Sequence, residues 1–102
     1  MTATLITIHY PHDGRKLQRF IIAVLKQWLA YSIHRINYAK QYTLVEGKMQ
    51  RKEEKIVLIK TSEQKKEKLM VFLNKQHPNQ SFEYNCVAVQ EIDEAYKQRI
   101  TL

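Results

Sequence analysis

The side chains of this sequence best suited to hold a metal are four histidines, His9, His12, His34 and His77, and a single cysteine, Cys86. Imidazole suits copper and zinc, and a thiolate binds soft metals. Their spacing builds no ready-made site, because neither a Cys-x-x-Cys nor a His-x-x-x-His pair occurs. His9 and His12 flank Pro11, and in a strand-to-turn segment nothing fixes both rings on one ion, so they read as solvated loop histidines rather than a metal pair. His77 stands directly before Pro78, so it is either a ligand or a helix-terminal histidine beside free carbonyls. Glu83 could add an oxygen ligand, yet alternation with Tyr84 equally makes it an outward-facing strand residue. Cys86 falls on the same side of its predicted strand as Phe82 and Tyr84, which reads as a buried, inert thiol.

Catalysis finds no such candidates. The sequence has no Gly-rich phosphate loop, no Gly-x-Ser-x-Gly elbow and no acid pair of distinctive spacing. Glu53-Glu54 and Asp93-Glu94 are chain neighbours, which point different ways in any regular element. No enzyme activity is expected.

The elements that must position these residues are legible in outline. At 102 residues there is room for one domain, 1–102. A 44% hydrophobic content excludes a disordered chain, and only 2 Gly and 2 Pro leave little for loops. Leu5 to Ile8 forms a short β-rich run, closed by a turn at Pro11 to Gly14. Leu17, Phe20, Ile21, Val24, Leu25, Trp28 and Leu29 recur at three-and-four spacing, predicting an amphipathic helix from about Asp13 to Ala30. Between Ile33 and Val45 the pattern alternates, with Ile36, Tyr38, Tyr42 and Leu44 on one side of a strand. A turn follows at Glu46 to Lys48, then an apolar strand from Lys55 to Lys60. Thr61 or Ser62 caps a second helix, with Leu69, Phe72, Leu73 and Gln76 as its inner stripe. A last strand runs from Phe82 to Ala88, and a short helix from Glu91 to Ile100.

The order β-α-β-β-α-β plus a tail helix predicts an α+β fold, a ferredoxin-like sandwich with an antiparallel sheet and a short C-terminal helix. Its helices cover one sheet face only. The other carries enough Tyr, Ile and Val to favour self-association.

Lys and Arg number 17 against 10 Asp and Glu, giving a net charge of +7. Such a balance can attract nucleic acid, anionic lipid or phosphorylated ligands, but it reads first as a soluble surface with a basic bias. The lone cysteine excludes an intramolecular disulfide and fits a reducing compartment, so the expected location is cytoplasmic. The first nine residues carry neither a basic start nor a long apolar run, so no signal peptide and no membrane partner are expected.

Leu29-Ala30, Glu46-Gly47-Lys48, Leu58-Ile59-Lys60-Thr61, His77-Pro78 and Glu83, taken with their joint spacing, resemble the CutA family of divalent-cation tolerance proteins. The match runs without a gap from Leu29 to about Val89, with one extra residue around Pro11. The departures concern the family's inter-subunit cleft. Thr43 and Val45 replace the family's Tyr and Trp before the turn, Ser32 replaces a cysteine, and Asn79 and Gln80 follow His77-Pro78 where the family has Tyr and Glu. The resemblance implies a compact homotrimer whose hairpin strands pair across subunits, with Tyr38, Tyr42 and Val45 as interface residues. It also implies a role in the response to copper or other divalent metals, with His77 and Glu83 as the metal residues and any divalent copper held weakly. A distant kinship in fold with PII proteins implies ligand sensing. The alternative is a basic nucleic-acid-binding module, in which Tyr38, Tyr42 and Tyr84 stack on bases and Arg35, Lys40 and Lys60 meet phosphates. No RNP-like string supports it, and nucleic acid is not the expected partner.

Overall fold

A computed structural model describes residues 2–10, 14–78 and 82–100. The expected turn at Pro11, the direction of His12, and Asn79 and Gln80 lie outside the described residues. The elements run β1 (Ala3–Tyr10), α1 (Gly14–Lys26), β2 (Ser32–Val45), β3 (Lys48–Ser62), α2 (Glu63–Gln76), β4 (Glu83–Val89) and α3 (Glu94–Ile100). The sheet is antiparallel in the order β2-β3-β1-β4, the ferredoxin-like arrangement.

Strand alternation decides what each face carries. Ile6, Ile8 and Tyr10 of β1, with Val57 and Ile59 of β3, are buried on the face that receives the helices. Leu17, Phe20 and Val24 of α1 and Leu69 and Leu73 of α2 close that core. The rings of Phe20 and Phe72 stack at 6.0 Å and join the two helices. Gln76, expected on the inner stripe of α2, is exposed, because the stripe ends with Leu73. The opposite face carries Leu5, His9, Ile36, Ile56, Leu58 and Val87, none of them fully buried.

Helix α1 stops at Lys26, four residues short of the expected end. The amide of Trp28 donates to Leu25 O and that of Leu29 to Val24 O, each at 3.1 Å, with Trp28 at φ 58°. This is a Schellman stop, with a tryptophan in the left-handed position usually held by glycine. Leu29 is thereby turned into the core, and its carbonyl accepts a 2.7 Å bond from Thr61 Oγ1. Thr61 is therefore occupied there. Ser62 takes the N-cap position of α2 without a side-chain cap bond.

β2 and β3 are 14 and 15 residues long, but β1 pairs only with Lys55 to Ser62 of β3. Beyond that point the hairpin continues as a two-stranded ribbon. Its β3 half begins at Lys48, well before the expected Lys55. The radius of gyration of 14.9 Å exceeds the roughly 12.8 Å of a compact domain this long. The accessible surface of 7304 Å² likewise exceeds the roughly 6,100 Å² expected for this mass.

A bulge interrupts β2. Ile36 pairs with Ile56 and Ala39 with Glu54, so Asn37 and Tyr38 together oppose Lys55. The extra residue reverses the alternation, which corrects the expected single stripe. Ile36 lies on the open face, whereas Tyr42 and Leu44 fall on the helix-bearing side.

Candidate functional site

His77 sits just past α2, half-buried, with its amide donating to Leu73 O at 3.1 Å as the helix C-cap. Its Nε2 lies 2.7 Å from the hydroxyl of Tyr10, and its ring meets Tyr10 and Phe82 edge-on at 5.5 and 5.3 Å. His77 thus caps α2 through its backbone, and one ring nitrogen is engaged by a phenol from β1.

Glu83 lies elsewhere. It pairs in register with His9, on the face opposite Tyr10, and is exposed. His9 Nδ1 in turn lies 2.8 Å from Glu54 Oε1, and these residues line an open cleft with Lys52, Glu53 and Lys55. His77 and Glu83 are therefore not brought together by the fold of one chain. Among the described residues, no group of three or more His, Cys, Asp and Glu is placed to hold a metal ion.

The expected interface residues all lie on the ribbon or at its root. Tyr38 is 79% exposed in the bulge, and Tyr42 and Val45 are exposed on opposite sides of β2. Leu44 and Met49, directly opposite each other, are also exposed, and neither is among the expected interface residues.

Cys86 lies half-buried on the helix-bearing side, opposite Ile6. Burial pushes its thiol up, a tendency that Lys66 opposes and Glu63 reinforces. At pH 8 Cys86 should react with a disulfide reagent severalfold more slowly in the folded protein than in urea. Equal rates in both states would show a thiol open to solvent.

A second concave region escaped the sequence reading. Trp28, Tyr31, Thr61, Ser62, Lys65 and Arg99 enclose a small cavity where the α1 stop meets the start of α2. These residues are scattered from 28 to 99, and only the fold assembles them. The Arg99 guanidinium lies 5.8 Å from the centre of the Tyr31 ring, and Tyr31 packs 5.0 Å from Tyr96. Burial pushes the Tyr96 phenol up, and its hydroxyl has no hydrogen-bond partner.

A family model described as CutA1 divalent ion tolerance protein matches residues 4–101 of the chain. No curated protein matches it in a sequence search. Among solved structures, CutA1 from Oryza sativa superposes with a TM-score of 0.81 at 17% identity, covering 99% of this chain and 92% of that one. CutA from Xylella fastidiosa gives 0.80 at 22% identity, covering 97% and 94%. The periplasmic divalent cation tolerance protein CutA from Archaeoglobus fulgidus gives 0.79 at 17%, covering 97% and 95%.

Proposed function

Because the chain belongs to the CutA1 divalent ion tolerance family, we propose that it is a non-enzymatic homotrimer that takes part in the response to divalent metal, copper included. The observation that carries this reading is the ribbon of β2 and β3. It projects past the helix-covered core with apolar residues exposed on both sides, and self-association is what would cover them. The lone Cys86 supports a reducing, cytoplasmic location. Among the described residues, no helix is long and apolar enough to cross a membrane.

Copper binding on this reading is weak and rests on one imidazole. Tyr10 competes for Nε2 of His77, and Glu83 stands on the other face. Calorimetric titration with Cu²⁺ should therefore show weak binding in the wild type and weaker binding in His77→Ala. Tyr10→Phe, which removes the competing hydroxyl, should tighten it. Identical isotherms for wild type and His77→Ala would remove His77 from the site, and no heat in either would end the copper role.

The placement of the tyrosines argues against the nucleic-acid module. A stacking platform needs aromatics together on the open sheet face. Tyr42 and Tyr84 fall on the helix-bearing side, and Tyr38 lies in the bulge.

A further inference from the structure

We propose that the cavity between the α1 stop and the start of α2 binds a small oxyanion, a phosphate or carboxylate head group. This goes beyond the metal reading and does not rest on it. His77 meets Tyr10 at one end of β1, whereas Ser62 pairs with Ala3 at the other, roughly 23 Å away along the strand.

The cavity of about 60 Å³ is room for roughly four water-sized groups, the size of a tetrahedral oxyanion. Lys65 and Arg99 bring positive charge to its wall. The 14-residue helix α2 begins at this wall, and its N-terminal end adds a favourable dipole for an anion. An independent observation points to a ligand. Ser62 is 1% exposed, lines the cavity, and its Oγ has no hydrogen-bond partner. As the N-cap residue it would ordinarily bond the first turn of α2, and it makes no such bond. A buried hydroxyl left unpaired is costly, and an oxyanion oxygen is an acceptor it can donate to.

The acidic residue nearest in sequence does not oppose this. Glu63 Oε2 accepts from Thr4 at 3.0 Å, and Oε1 accepts from Lys66 at 2.8 Å. Lys66 and Thr4 hold its carboxyl below the usual carboxylate range. The open side is walled by Trp28, 69% exposed and held in the left-handed conformation, and by Tyr31. An organic body behind the anionic head would find an aromatic surface there.

Trp28 is the chain's one tryptophan, so its fluorescence reports on this cavity. The intact protein should be titrated, at constant ionic strength and without added metal, with inorganic phosphate, phenyl phosphate and benzoate. A saturable change is expected with at least one of them. Tighter binding of the aryl anions would identify the head group of an organic ligand, and equal binding would identify free oxyanion. Lys65→Gln should weaken binding roughly tenfold, the worth of a charge-assisted contact. Ser62→Ala should weaken it severalfold while leaving the unfolding temperature unchanged or higher, because no native bond is lost. Absence of saturation with all three anions would overturn the proposal. So would unchanged affinity in both variants, or a Ser62→Ala protein that loses stability and keeps its affinity.

Discussion

Light scattering coupled to size exclusion should return three times the 12.2 kDa chain mass for the wild type, and a smaller species or insoluble protein for Tyr42→Asp. The number three comes from the CutA resemblance. The physical need comes from the ribbon, since two strands without a third or a covering layer are marginal in water. Tyr42 is 58% exposed there, Leu44 74% and Met49 71%, all on one side, with Val45 on the other. Burying one such side chain stabilises by roughly 1.5–3 kcal/mol, and a closed ring repeats the contact at every interface. An aspartate at position 42 would lose its water without gaining a partner. Tyr42→Phe, which keeps the ring, should keep the wild-type mass. A wild-type monomer at micromolar concentration would refute the trimer, and the functional reading built on it would fall too.

Phe20→Ala should cost about 3–5 kcal/mol, a large share of the roughly 5–15 kcal/mol that holds a domain folded. Phe20 is 2% exposed and stacks on Phe72 of α2 and Tyr10 of β1, at 6.0 and 6.1 Å. Its loss therefore opens a cavity where both helices and the sheet meet. Ile22 on the same helix is 43% exposed, and Ile22→Ala should cost well under half as much. Urea unfolding at one fixed protein concentration compares the two, because assembly would make stability depend on concentration. Equal losses in both variants would mean that Phe20 is not the keystone of the core.

The same two regions show how far the sequence could be read. Leu17, Phe20 and Val24 were legible because a helix facing a core repeats every three or four residues, and that repeat is written in the chain. The stretch from Lys48 to Glu53 was not. Its residues are solvated on nearly every side, so no burial pattern distinguishes this strand from a loop. The bulge at Asn37 and Tyr38 left no glycine or other mark, yet it decides which side Tyr42 takes. The early end of α1 was hidden because Trp28 and Leu29 continue the apolar spacing, while the backbone places one outside and one inside. Of the sites, His77 and Glu83 were picked out by resemblance, and their separation onto two faces required the register. The cavity around Ser62 depends on an unpaired hydroxyl, a property of packing that no residue type announces.

The place of β1 between β3 and β4 has a consequence for biosynthesis. Ala3 pairs with Ser62 on one side and with Val89 on the other. On the ribosome, the most buried strand of the sheet must wait until its β3 partners, from Lys55 onward, and then its β4 partners, from Glu83 onward, have been made. Each of these closures is made before its contacts repay it, so the sheet forms late and slowly for so short a chain. Until then Ile6 and Ile8 stand unpaired in the nascent polypeptide, the segment on which a chaperone, or a neighbouring copy on the same message, would act first.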